Sequence, residues 1–203
     1  MRIFKLFLIA VALVFTSCSK DDEKSPSLQE VHDFLSPDVV NAMIDLGLTL
    51  HTGDNPPNVE GLYLGELVLE DSSVPNESAP IGYRFPDWKF RFSQQNGSSI
   101  YVEEFEDASG TTGSGYGGLI VGEGELFTVL VKQELTDGNG HTYTNVRAIS
   151  GDRYGTMEQT VSILDFQLAT FMMDNNGNPN ENLLPNNTGR LFSDENNAAS
   201  RIE

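Results

Sequence analysis

The chain has 203 residues, 30 of them Asp or Glu against 12 Lys or Arg, giving a formal charge of −18, and a single cysteine. That length suits one domain of roughly 100–200 residues. One cysteine excludes a disulfide scaffold and a zinc site of several thiolates, and the acidic balance excludes a nucleic-acid binder working through a basic surface.

The first elements are a positive pair, Arg2 and Lys5, and the unbroken apolar run Leu6–Phe15. A permanent membrane helix takes about 20 apolar residues, so this run fits the h-region of a secretory signal instead. Phe15-Thr16-Ser17-Cys18 follows, two small residues before the lone cysteine. This resembles the lipobox of bacterial lipoproteins, with Phe15 in place of the usual aliphatic residue. The resemblance implies a signal peptide over residues 1–17, acylation of the Cys18 sulfur, and stable attachment to outer-membrane lipid. Lys20-Asp21-Asp22-Glu23 resembles the acidic export signal of surface lipoproteins of the Bacteroidota, and implies exposure at the cell surface, with a plain solvated tether at the inner face of the outer membrane as the alternative. The composition of residues 18–26 predicts a flexible tether.

Residues 27–48 predict two short helices. Ser27-Leu28-Gln29-Glu30 has the form of a capping box, and Leu28, Val31 and Leu35 then share one face. Ser36-Pro37-Asp38 supplies an N-cap, a first-turn proline and a charge suited to the helix dipole. Val39, Val40, Met43 and Ile44 form the apolar stripe, and Gly47 is placed to end the helix. The stripe is expected to pack as a lid on the core, with partner binding as the alternative.

After the loop at Asn55-Pro56-Pro57-Asn58 the apolar period changes to two. Gly61–Leu69 predicts a first strand, and Trp88, Phe90 and Phe92 alternate with Lys89 and Arg91 in a second. Ile100–Phe105, Leu126–Val131 and Thr142–Ser150 follow, the last two joined by the turn Asp137-Gly138-Asn139-Gly140. Gly151–Thr156 reads as a turn. Residues 157–173 fit either helix or strand, and the surrounding rhythm favours a strand from Val161 to Met173. Gly189–Phe192 predicts a short closing strand, and residues 194–203 a frayed tail.

The expectation is therefore a mainly β domain over residues 59–193, preceded by two short helices. Closure of seven or eight antiparallel strands into a barrel removes exposed edges, and a two-sheet sandwich is the competitor. A helical segment before Gly61-Leu62-Tyr63 resembles the start of lipocalin-like barrels, with Tyr63 where the family has tryptophan and Arg190 as the candidate basic residue over the ring. The stretch Pro56–Tyr63 and the late loop Asn176-Gly177-Asn178-Pro179 are also similar to those of lipoproteins of the Bacteroidota. That similarity implies no activity.

No chemistry-bearing motif stands out. His32, His51 and His141 are far apart in sequence and lack metal-ligand spacing, and no Gly-x-Ser-x-Gly elbow is present. The glycine-rich stretch Gly110–Gly118 lacks the ending of a phosphate loop. It suits a bent strand or the close approach of another segment. Glu104 and Glu106 share a strand face, a pattern that glycosidases use across a cleft, but solvated charge is the expected role. Asp174–Glu181 offers oxygen ligands for calcium but fails the pattern of a helix-flanked calcium loop, since Pro179 and Pro185 replace its glycine and glutamate. No catalytic residue, metal or cofactor is expected.

What remains is aromatic: Tyr63, Tyr83, Phe85, Trp88, Phe90, Phe92, Tyr101, Phe105 and Tyr116 either line an apolar cavity or fill the core, with Tyr63, Trp88, Phe90, Phe92 and Tyr101 as the ligand-binding candidates. The leading expectation is a non-catalytic protein that binds a small apolar or amphipathic ligand. The alternative is a surface adaptor that contacts an envelope protein or glycan through exposed loops such as Asn175–Asn187.

Overall fold

A computed structural model describes residues 26–106, 116–136, 140–156, 160–177 and 183–203. In chain order these form α1 (Pro26–Phe34), α2 (Pro37–Asp45), β1 (Asp54–Asn55), β2 (Gly61–Gly65), β3 (Leu67–Ser72), β4 (Trp88–Asn96), β5 (Ser99–Glu106), β6 (Tyr116–Glu123), β7 (Leu126–Thr136), β8 (Thr142–Gly155), β9 (Thr160–Asp174), β10 (Thr188–Asp194) and β11 (Ala198–Arg201).

Pairing decides between barrel and sandwich. From β4 to β9 each strand pairs antiparallel with the next. β2 pairs with β4 on one side and β11 on the other, while β11 also pairs with β9. β10 bridges β9 to β3 in the same way along the other half of the seam. Interrupted only at Glu66, β2 and β3 act as one barrel strand; β10 and β11 act as another, interrupted at residues 195–197. The result is a closed eight-stranded antiparallel barrel. The two interruptions lie side by side, because the Glu66 N–H donates to Asp194 Oδ2 (2.7 Å) and the Glu195 N–H to the Glu66 carbonyl (2.9 Å).

The tail expected to fray beyond Asp194 is thus the strand that closes the barrel. Its small Ala199 is fully buried where the wall is narrow. The turn expected at Gly151–Thr156 is also strand, since β8 runs on to Gly155 against the start of β9. β9 takes the strand alternative for its ambiguous stretch and bends at Asp165, whose φ is +47°.

Alternation sends Tyr63, Phe90, Phe92, Phe127 and Phe166 into the barrel, all essentially fully buried. Ring pairs Tyr63–Phe92 and Phe90–Phe166, each with centroids 5.7 Å apart, fill this half of the interior. Burying each such side chain stabilises the fold by about 1.5–3 kcal/mol. The Tyr63 hydroxyl donates to the Val59 carbonyl (2.9 Å), so the polar end of the ring is satisfied.

The helices do not lie over an end of the barrel as a lid. Val31, Leu35, Val39, Val40 and Met43 pack on outward-facing Leu119, Val121, Leu130, Ala148, Ala169, Phe171 and Leu191, forming a second core against the outer wall. Ile44, counted in the expected stripe, stays 41% exposed. α1 begins at Pro26, so Ser27 sits inside the first turn and accepts the Gly53 N–H at its hydroxyl (2.8 Å). α2 starts at Pro37 as expected, but the Ser36 hydroxyl makes no cap bond; its carbonyl receives the Val39 and Val40 N–H groups instead. Gly47 ends the helix at φ +100°, while the Leu48 N–H returns to the Met43 carbonyl (3.1 Å).

Gly117 and Gly118 open β6, while Gly110, Gly113 and Gly115 lie outside the described residues. Within that stretch the close approach falls at Gly118, where a Cβ would stand 2.8 Å from the Leu130 carbonyl oxygen; farther along β6 the Gly122 N–H donates to the Gly53 carbonyl (3.0 Å) beside the β1 pairing. A Cβ on Gly53 would stand 2.5 Å from the Gly122 carbonyl oxygen, and one on Gly122 would stand 2.8 Å from Phe127 Cα.

Candidate functional site

The barrel has two unlike ends. Strand direction puts the two-residue connections 97–98 and 124–125 at one end, and the described connection 73–87 with residues 183–187 at the other. Position-specific function concentrates on such loops when a rigid scaffold carries them. At this second end, above the aromatic core, lies a cavity of about 340 Å³.

Its wall is apolar, formed by Leu67, Phe85, Leu168, Met172 and Phe192, with Leu183 and Leu184 reaching in from the 175–187 connection. Its polar members are Tyr143, Asn145, Thr170, Arg147 and Arg190. Asn145 and Thr170 hydrogen-bond each other, the amide donating to the hydroxyl at 3.0 Å and accepting from it at 3.2 Å. The Arg147 guanidinium lies 3.8 Å from the centroid of the Trp88 ring, a cation–π contact at the cavity floor. Its Nε is 3.1 Å from Glu104 Oε2. Burial pushes the Glu104 carboxyl above the usual carboxylate range, and Arg147 and the neighbouring Gln133 amide draw it part of the way back.

This corrects the expected role of Glu104. It is not a solvated charge but a buried one, because Ile100, Val102 and Glu104 share the inward parity of β5. Nothing is described of the Glu106 side chain, its partner in the paired-carboxylate pattern. Arg147, Gln133 and Asn145 escaped the sequence reading as well, since long polar residues at alternate strand positions read as outward-facing. The available signal was their parity with inward Val131 and Ile149.

Of the five aromatics put forward as ligand-binding candidates Trp88 alone borders the cavity, joined by Phe85 from the wider aromatic set. Tyr63, Phe90 and Phe92 are packed in the filled interior, and Tyr101 lies half-buried on the outer face of β5. A hollow running through the barrel is therefore replaced by a cavity confined to its mouth. Arg190 does not cover Tyr63. Its guanidinium sits 5.3 Å from the Phe85 ring centroid and binds Glu77 through two hydrogen bonds.

A second depression of about 490 Å³ lies on the outer wall, bordered by His51, Glu70, Asp152 and Asp165. Burial lowers the His51 pKa, and the two aspartates oppose that shift. His32 lies in α1 and His141 just before β8, apart from His51 in the chain segment before β1. Among the described residues no group of three or more His, Cys, Asp or Glu is placed to hold a metal ion. In the 174–181 loop, Asp174 and Asn175 side chains accept the Asn176 and Gly177 N–H groups (2.8 and 3.2 Å), ordinary turn bonds. Residues 178–181 lie outside the described residues, as do Cys18, Lys20, Asp21, Asp22 and Glu23. Among the described residues no helix is long and apolar enough to cross a membrane. Compared with known proteins, the chain matches no family model, no curated protein and no solved structure.

Proposed function

We propose that this protein holds a small amphipathic molecule noncovalently in the mouth of its barrel and carries out no chemistry on it. The observation that supports the reading is the cavity itself: about 340 Å³, an apolar wall, and a few convergent polar groups on its floor. Ligand sites are concave, mostly apolar and roughly of this size. The filled aromatic core beneath gives the site a rigid base, which limits the ligand to one that fits the mouth. Native mass spectrometry of the protein purified gently from its own host tests the reading. The expected result is an added mass that leaves on denaturation. A bare mass, with Trp88 emission unmoved by a host lipid extract, removes it.

A second reading, an adaptor that contacts a glycan or envelope protein through its rim, is favoured by Ile81 and Tyr83. They are 61% and 50% exposed on the 73–87 connection at the mouth. Co-purification with an envelope component, lost on replacing both by Ser, would support it.

The same protein is proposed to be a lipoprotein of the outer membrane of a Bacteroidota cell, acylated at Cys18 and exported to the surface through Lys20–Glu23. Metabolic labelling with an alkyne fatty acid should mark the wild type and miss Cys18→Ala. Replacing Asp21, Asp22 and Glu23 by Ala should protect the protein from protease added to intact cells.

A further inference from the structure

We infer that the mouth cavity selects a molecule whose polar end is uncharged and both donates and accepts hydrogen bonds, a hydroxyl or primary carboxamide rather than a carboxylate or ammonium. The inference rests on the binding reading above and specifies its ligand. Two guanidinium groups reach the cavity, and each already has its own carboxylate: Arg147 faces Glu104 at 3.1 Å, and Arg190 is held by Glu77 at 2.7 and 2.9 Å. An arginine does not give up its proton, so a buried Arg147 needs the Glu104 charge beside it. With both cations matched, the cavity offers no surplus positive charge to an anion.

The polar lining is mixed as well. It is made by Arg147, Arg190, Asn145, Thr170 and Tyr143, while Glu104 and Gln133 are buried beside Arg147 and do not line the cavity. A carboxylate arriving there only accepts, and it would sit beside the Glu104 charge. An ammonium only donates, and it would sit beside Arg147. A hydroxyl or carboxamide does both and adds no charge. The adjoining Asn145–Thr170 pair is neutral and of the same mixed character. Leu67, Leu168 and Phe192 would then take the apolar part of the molecule.

Trp88, the only tryptophan in the chain, sits on Arg147 and reports occupancy by its emission. The full-length protein is titrated at neutral pH with 1-octanol, octanamide, octanoate and octylammonium. Octanol and octanamide are expected to bind at least about tenfold more tightly than the two ions. Octanoate or octylammonium binding as tightly as the neutral pair overturns the inference while the binding reading stands. No response to any of the four, in emission or in thermal unfolding, removes the binding reading and the inference with it. Glu104→Gln keeps the shape and removes the counter-charge. In a variant whose circular dichroism matches the wild type, octanoate should gain about tenfold relative to octanamide, and an unchanged order again overturns the inference.

Discussion

Glu77 and Arg190 stand 113 positions apart in the chain and meet through two parallel hydrogen bonds, 2.7 and 2.9 Å long. The pair pins the 73–87 connection to β10, and Arg190 covers Phe85 at the edge of the mouth. Paired donors of this kind favour the ionised carboxylate. Glu77 is accordingly held below the ordinary value of 4.5, at about 2, chiefly by Arg190.

Glu77→Gln should therefore destabilise the protein by about 1–2 kcal/mol at neutral pH. The folded pKa is depressed, so this contribution is fully present above about 4.5 and is lost as the pH falls toward 2. Urea unfolding of both proteins at neutral and acidic pH checks it. A gap that is the same at both would contradict the assignment.

Glu104 works in the opposite sense. Its folded pKa is raised by burial, so the native state binds a proton more readily than the unfolded chain does. Relative to Glu104→Gln, the wild type should lose stability as the pH rises from about 4.5 through the raised pKa. Parallel pH profiles of the two proteins would show that the carboxyl is not buried as described.

Met43 is fully buried between α2 and the outer wall, whereas its neighbour Ile44 is largely exposed. Met43→Ala should cost about 2–4 kcal/mol through lost burial and the cavity left behind. Ile44→Ala should stay within about 0.5 kcal/mol. Equal, small effects in thermal unfolding would mean that the helices detach from the barrel.

Gly122 lies beneath the crossing of Gly53, and a Cβ there would also collide with the Leu126 carbonyl oxygen. Gly117, one turn of alternation and more away on the same strand, has nothing within 4 Å of its added Cβ. Gly122→Ala should destabilise by about 2 kcal/mol or more, or block folding, while Gly117→Ala stays within about 0.5 kcal/mol. Comparable melting temperatures for the two variants would refute the close packing of Gly122 on the β7 backbone.

How much of this was legible in the sequence depends on what lies outside each strand. Trp88–Phe92 reads cleanly because Lys89 and Arg91 face solvent. Leu119, Ile120 and Val121 are buried on both faces, since the helices cover the outer wall there, and alternation vanishes. β11 is hard to read for another reason: its Ala-Ala-Ser-Arg composition reflects a narrow seam that only long-range pairing with β2 and β9 defines. The mouth cavity was half visible. Trp88 was found, but Arg147, Glu104 and Gln133 gain their meaning from the closure of the barrel, which places three polar residues from different strands behind one ring.

Ser27 and Gly53 fix the start of α1 beside Gly122, at the end of the barrel with the two-residue connections. The described chain therefore begins at that end. A leash from Cys18 to Pro26 reaches at most roughly 28 Å when fully extended. Were Cys18 acylated as proposed above, the mouth cavity would lie at the end of the barrel away from the mooring.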